Sequence, residues 1–580
     1  MQAHHRDDTL ASVLTSEGAL QAASQKGRIS RANVRLVAEF IAGSNLVEQL
    51  AEWQLADAAH RHPGGRPPAV SLRTLLILLF LLALEGSPLL VSRMADILEH
   101  RLRRKTRLQH ELFAAGPTES YYRVWRAADR LRRLIDPKPG PRRKRQTPSE
   151  WEATLAARDP RDTAKKQARL DWFANQLLEA SSRLLPPEHR NFSGNITADA
   201  TPVAAFGRGR NKRSRRLSSE PDAAYYRRSG DHRDNDDDTR SSGKVLYGWE
   251  AELLVQTTNN PTKPANFPLL VLGIAFHKPG HAPAQEAVKA FQSIRDRGHP
   301  AGYAIGDRLY SPGSKPENYQ LPVRALGYKL VHDFRKDQLG VSESYAGAIQ
   351  DEGSWYCPAM PEPLVNATID HRINNTIDED TWQQRINRRR IYALRAKEKP
   401  DTDGHVPLMC PAAGASATVS CPLKKLIGCP SDKGPKALFP VTNPPKHPDR
   451  ICTNKTSVSF PPNAGAKYAQ TLPFGTPEWQ TLYAAGRNTV EGFNAYAKDE
   501  ARHALATPGR RRLRGYTAQH LLTAVIIAAA NIRKIVSYLN KTTDDTEVND
   551  TVRPPKRPKR RTVALATYKP DTEHGTTPPA

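Results

Sequence analysis

Three acidic residues stand far apart in the sequence, each in a segment suited to carry it to a shared place. Asp199 lies in NITADATPVAAF (195–206), Asp307 in AGYAIGDRLY (301–310) and Glu491 in RNTVEGFNAYAK (487–498). Carboxylates brought together can hold a hard divalent cation such as Mg2+ or Mn2+, which binds through oxygen and keeps several waters. Two such ions can activate an attacking oxygen and stabilise a leaving one during displacement at phosphorus. On a helix turning about 100° per residue, Arg487, Glu491, Asn494 and Lys498 fall on one stripe, and Val490, Phe493 and Ala497 on an adjacent apolar one. The stripe alone has an ordinary reading, because Arg487 and Glu491 also make a surface i,i+4 pair worth a few tenths of a kcal/mol. The surrounding elements must decide between the two.

The periodicity supplies those elements. Asp199 sits in a β-like run, KVLYGWEAELLVQT (244–257) alternates, and FPLLVLGIAF (267–276) is a continuous apolar run fit for a central strand. An amphipathic helix is expected over 282–298, ending at Gly298, then a strand over 301–310 that delivers Asp307 near its end, and a short strand at 328–334. Strands interleaved with helices indicate an α/β class with a mixed sheet and flanking helices. Residues 336–474 are rich in Pro, hold all five cysteines and read as an insertion. After it come the Glu491 helix and an apolar helix over 517–539. The tail from 541, with RPPKRPKRR, reads as disordered.

The N-terminal 150 residues read as helical and basic. Helical periodicity covers 30–60, HPGGRPP (62–68) is a loop, and Ser71 is a plausible N-cap for SLRTLLILLFLLAL. GSP (86–88) breaks this helix before another, from Leu89 to about Leu102, and such a pair could be a DNA-reading helix-turn-helix or plain helical packing. Segment 101–149 carries 15 Lys and Arg against 4 acidic residues, with Tyr121, Tyr122 and Trp125 among them. Arg103, Arg104, Arg107, Arg132 and Arg133 are its candidate phosphate contacts. A helical connector over 151–190 joins this region to the sheet.

The whole chain agrees in charge. Its 580 residues hold 86 Lys and Arg against 60 Asp and Glu, a formal charge of +26, which points to a polyanionic partner. The longest purely apolar run, Leu75–Leu84, is about half of what a bilayer crossing needs, so no membrane partner is expected. The N-terminus shows no signal-peptide pattern, and five cysteines do not suggest a disulfide framework. An intracellular, reducing compartment is the expectation.

Taken in order, strand-Asp, strand-Asp and helix-Glu with an insertion before the Glu resemble a bacterial insertion-sequence transposase of the DDE class. ITADATPV resembles that family's first-Asp strand, YAIGDRLY its second-Asp strand, and RNTVEGFNAYAK its Glu helix. Arg487, Glu491 and Lys498 match the signature Tyr-x2-Arg-x3-Glu-x6-Lys. The Tyr position falls on Ala484, with Tyr483 one residue earlier. The resemblance covers roughly 190–335 and 475–540. It implies an RNase H-like catalytic domain interrupted by the cysteine-containing insertion, with Asp199, Asp307 and Glu491 as catalytic residues and as ligands of two Mg2+ or Mn2+ ions. It also implies that Arg487, Asn494 and Lys498 contact DNA. The partners would be double-stranded element ends and target DNA, with a homodimer on paired ends, in bacterial cytoplasm at the nucleoid. Alternatives are a two-metal nuclease that cuts without strand transfer, and a DNA-binding repressor derived from a transposase.

Other constellations carry less. DHRDNDDDTR (231–240) lacks calcium-loop spacing and reads as an exposed hairpin tip. GRGRNKRSRR (207–216) follows the Asp199 strand closely enough to reach DNA beside it. Cys357, Cys410, Cys421, Cys429 and Cys452 show no C-x2–4-C pair. A zinc site in the insertion would need four of them to converge in space, and buried free thiols are the simpler reading.

Overall fold

Local sequence starts and stops the elements much as expected. The computed structural model describes residues 27–58, 68–140, 145–210, 213–227, 245–426 and 438–547. The acidic stretch 231–240, Cys429 and the tail from 548 lie outside them. Helices α1 (Arg31–Ala42) and α2 (Leu46–Ala58) precede α3 (Leu72–Glu85). The Ser71 hydroxyl accepts from the Thr74 amide to cap α3, and Gly86 ends it in the left-handed region at φ 70°. Next come α4 (Val91–Asp96), continued by a π turn to Arg101, then α5 (Arg104–His110) and α6 (Pro117–Ile135). The connector holds α7 (Pro148–Ala156) and the long α8 (Pro160–Ser182).

The central sheet comprises β1 (Ile196–Ala204), β2 (Ala224–Arg227), β3 (Val245–Gln256), β4 (Val271–His277), β5 (Tyr303–Gly306) and β6 (Lys329–His332). β3 lies between β1 on one side and β2 and β4 on the other, all antiparallel to it. β5 then pairs parallel with β1, and β6 parallel with β5. The chain is therefore mixed α/β. Some details differ from expectation. The strand expected from 267 begins at Val271, the one expected over 301–310 spans only Tyr303–Gly306 and leaves Asp307 just past its end, and β2 is too short to show periodicity in the sequence.

Helices cover both faces of the sheet. On one, α9 (Pro283–Asp296) and α10 (Gln320–Ala325) bring Ala287, Phe291, Ile294 and Val323 against Ala198, Leu254 and Leu272. On the other face a larger core unites α1, α3, α4, α6 and α8 with Val203, Leu253, Val255 and Ile274 of the sheet. The N-terminal helices thus share one apolar core with the sheet.

Between β6 and the Glu491 helix runs a segment of short elements with its own core. It contains β7 (Val341–Tyr345), β8 (Ala348–Asp351) and β9 (Ser354–Tyr356) in one three-stranded sheet, followed by α11 (Glu362–Val365), α12 (Ala367–Arg372) and α13 (Glu379–Arg389). Beyond these, β10 (Arg395–Ala396), β11 (Val406–Met409), β12 (Val419–Ser420), α14 (Pro422–Leu426), β13 (Phe439–Pro440), α15 (Arg450–Thr453) and β14 (Val458–Phe460) complete it.

The chain then re-enters the main body as α16 (Pro477–Lys498) and ends in α17 (Tyr516–Glu547). The last helix therefore runs past 541, into the stretch expected to be disordered. Part of it, Tyr516–Thr542, is long and apolar enough to cross a membrane, but it is largely buried here, with Val525, Ile527 and Ala528 in the main core.

Candidate active site

α16 is laid across β1, β5 and β6 by its apolar stripe. Thr476 caps its start, accepting from the Trp479 amide, and Pro477 occupies the first turn, where its missing N–H costs nothing. Val490, Phe493 and Ala497 are at most 1% exposed in the core facing the sheet. Near the helix start, Trp479 and Leu482 pack with Ile305 of β5 and Val331 of β6. Gly486 allows the close approach between them. A Cβ built there would stand 2.7 Å from Cδ1 of Ile305.

This docking brings the polar stripe to Asp199. The Asn494 amide donates to Asp199 Oδ2 at 2.9 Å, and an Arg487 guanidinium nitrogen lies 3.8 Å from Oδ1. Arg487 also donates to Glu491 at 3.1 Å, so one cation stands between two carboxylates from segments far apart in sequence. Asp307 is the first residue past β5, and it acts electrostatically on both Asp199 and Arg487. Lys498 reaches Asp199 in the same way.

Burial dominates the electrostatics of the site. Burial raises the Asp199 carboxyl to about 6, Arg487 opposes the rise, and Asp307 and Glu252 add to it. Glu252 pairs with Ala200 in register, so it projects to the opposite face from Asp199 and acts through the sheet. It is fully buried, accepting from Tyr310 and lying 2.8 Å from Nε2 of His277. Arg487 has its guanidinium raised by Asp199 and Asp307 against the opposing effect of burial.

Asp199, Asp307, Arg487, Asn494 and Lys498 meet on one face, with Glu491 joined through Arg487 at the exposed edge, its side chain 61% exposed. Asn494 was expected to contact DNA. Instead its amide is 8% exposed and committed to Asp199, because its position on α16 turns it toward the sheet. In the basic region Arg103 and Arg104 are exposed at the start of α5, and Arg107 donates to the Leu98 carbonyl. Arg132 pairs with Asp129 and Asp136, and Arg133, itself largely exposed, with Asp129. The i,i+3 and i,i+4 spacing from Asp129 was the signal for this. Tyr121, Tyr122 and Trp125 are exposed, at 39–51%.

Sequence reasoning missed Glu252, His277 and Tyr310 beneath the site, and it gave no place to Tyr483. That residue stacks on Trp479 at 4.9 Å and feels Asp333, Arg487 and Asp307. Four residues before Arg487, it joins the same helical stripe despite its offset from the family signature.

The donor set fits a hard cation in part. Asp199 and Asp307 supply oxygen donors that act on each other electrostatically, which suits an ion that takes one or two carboxylates and completes its shell with water or phosphate. Among the described residues no group of three or more His, Cys, Asp or Glu side chains is set to hold a metal. The fit therefore rests on the two aspartates, with Glu491 held to one side by Arg487. Comparison of the chain with protein-family models, curated proteins and solved structures finds no match.

Proposed function

We propose that the chain is a DNA transposase of the DDE class, with an RNase H-like catalytic domain interrupted by the segment between β6 and α16. The convergence of Asp199, Asp307, Arg487 and Glu491 from three remote segments onto one face of the sheet is the observation that carries the reading. The sheet order supports it too: β1, β3 and β4 antiparallel, then β5 and β6 parallel to β1, is the pattern an RNase H-like domain needs.

In this reading Asp199 and Asp307 would hold two Mg2+ or Mn2+ ions, and Glu491 would serve as the third carboxylate. Such ions would supply charge neutralisation at phosphorus and activation of the attacking oxygen. Asn494 fixes the Asp199 carboxylate in one orientation. Arg487 and Lys498 offer cations to the phosphate beside the scissile bond, so that positioning as well as charge lowers the barrier. Exposed cations of α5, together with exposed Arg145, Arg210 and Arg512, would track double-stranded DNA. The protein would pair two element ends as a homodimer in bacterial cytoplasm.

The test is divalent-dependent nicking of DNA from the sequence flanking the gene, where the reading expects inverted repeats. Asp199→Asn, Asp307→Asn and Glu491→Gln should each abolish nicking while retaining end binding. Wild-type cleavage by any one of them removes that residue from the site. Nicking without joining to target would support a nuclease, and end binding without nicking a repressor.

A further inference from the structure

Four cysteines outside the candidate active site converge in the segment between β6 and α16. Cys357, Cys410, Cys421 and Cys452 are all buried, and all belong to a single small core. They come from well-separated places: the end of β9, the end of β11, the start of α14 and α15. Nothing in the reading of Asp199, Asp307 and Glu491 uses them.

Their local geometry repeats. Cys357 and Cys410 each open a Cys-Pro-Ala turn. The Met360 amide bonds to the Cys357 carbonyl at 3.0 Å, and the Ala413 amide to that of Cys410 at 2.9 Å. Within these turns the Ala359 amide points at the Cys357 sulfur and the Ala412 amide at that of Cys410. Cys421 opens a third Cys-Pro turn, with the Lys424 amide bonded to its carbonyl at 3.1 Å. A backbone N–H two residues beyond a cysteine, aimed at its sulfur, stabilises thiolate and leaves the outer side of the sulfur open to a ligand.

The four thiols also sense each other. Cys357 and Cys410 share a hydrogen bond, and Cys452 lies within electrostatic reach of Cys410 and Cys421. Lys424 is 2% exposed, donates to the Asn454 carbonyl, and acts on both Cys410 and Cys452. An ammonium buried beside thiols favours their ionised form. Among the described residues no group of three or more of these side chains stands at ligating spacing, so a cation would have to draw together four sulfurs that already share one buried core.

The region around them needs a staple. Its strands run from two to five residues, and its core holds Val419, Ile451, Val458 and Phe460 but few other large aliphatic residues. Short strands on so small a core are where structural metals replace hydrophobic burial.

We propose that Cys357, Cys410, Cys421 and Cys452 form a tetrahedral structural zinc site that holds this segment together. Four thiolates with no open position match a closed, structural site rather than a catalytic one. Cys429, outside the described residues, is given no part in the proposed site. The proposal is independent of the transposase reading.

The experiment uses the full chain, purified under reducing conditions and passed through a desalting column. Metal analysis should give one zinc per chain, released on alkylation or oxidation of thiols. Replacing the metal with Co2+ should give the sulfur-to-cobalt charge-transfer absorption of a tetrahedral all-thiolate site, a readout that needs no variant to fold. Cys357→Ser, Cys410→Ser, Cys421→Ser and Cys452→Ser should each lower zinc content at least tenfold, and Cys429→Ser should leave it unchanged. A chain without zinc whose Co2+ form lacks thiolate absorption overturns the proposal. So does a Cys357–Cys410 disulfide in the freshly purified chain, or loss of zinc in Cys429→Ser alone.

Discussion

Gly486→Ala tests whether the packing of α16 on the sheet sets the geometry of the site. An alanine there would place its Cβ 2.7, 2.9 and 3.2 Å from Cδ1, Cγ2 and Cβ of Ile305. Carbon atoms rest at about 3.5–4.0 Å, so the helix or Ile305 must yield by roughly 1 Å. Ile305 is fully buried in β5 and has little room to turn. Such overpacking costs about 1–3 kcal/mol, against which alanine returns roughly 1 kcal/mol of helix propensity. The net expectation is a loss of up to about 2 kcal/mol in chemical denaturation. The larger effect falls on the site. Lifting α16 lengthens the 2.9 Å bond from Asn494 to Asp199 and the 3.8 Å approach of Arg487. A misplacement of about 1 Å can cost on the order of 100-fold in rate, to be read as divalent-dependent nicking of end-containing DNA. Ile305→Ala in the same chain should restore part of both losses, with a coupling of about 1 kcal/mol or more. A Gly486→Ala protein that gains the whole propensity benefit and cleaves at the parent rate refutes the close-approach argument.

The remaining predictions follow from charge. Asp199 is raised to about 6 from 3.8, so its contribution to stability is complete below pH 3.8 and is lost as pH rises through 6. At pH 8 the carboxylate then costs up to about 3 kcal/mol at 1.36 kcal/mol per pH unit. Asp199→Asn in EDTA should therefore be more stable than wild type at pH 8 and equal to it at pH 3.5; equal stability at both values disproves the burial argument. Glu491→Gln, on an exposed side chain, should change stability by less than about 0.5 kcal/mol while abolishing nicking, and a large loss of stability would make Glu491 a structural residue. Arg103→Ala with Arg104→Ala should lower the slope of log K against log salt by about 0.9 for each phosphate no longer neutralised. Arg132→Ala, by contrast, should leave the slope unchanged and reduce stability, since Arg132 serves Asp129 and Asp136; equal slope changes would put all three arginines on the DNA.

What was legible in the sequence was whatever local periodicity records. The 3.6-residue spacing in α16 separated Val490, Phe493 and Ala497 from Arg487, Glu491 and Asn494, and the structure buries the first three as that spacing requires. The run around Asp199 gave a strand of nearly the right extent, whereas the run around Asp307 overstated a strand that covers only Tyr303–Gly306. Hidden from view were interactions whose partners lie far along the chain. Asn494 shared the polar stripe, yet its commitment to Asp199 depends on how α16 crosses β1, which no local pattern states. Glu252 looked like any acidic residue in an alternating strand, and only the β1–β3 register places it beneath the site. The cysteines follow the same logic. A zinc knuckle announces itself when two ligands share one short turn, whereas here each comes from a different turn and only the fold gathers them.

Charge and burial at the candidate site support the proposed cation independently of the resemblance. Asp199, Asp307 and Glu491 bring carboxylates to one side of the sheet, and Glu252 adds its charge from the other. Arg487 is shared between Asp199 and Glu491, so it cannot fully satisfy either. With Lys498 also in reach, Asp199 still holds its proton up to about pH 6. A structural ion pair settles such a conflict by sealing the acid against its base, as Arg389 does with Glu352 at 2.6 Å deep in the β6–α16 segment. Here the stripe is left partly open to solvent instead, and the excess negative charge faces outward. A DNA phosphate arriving at that face would add to the excess and be repelled, unless cations beyond Arg487 and Lys498 came with it. That balance of charge supports the proposed function, in which phosphate would be handled together with a bound divalent ion, over the reading of Arg487 and Glu491 as a surface pair alone.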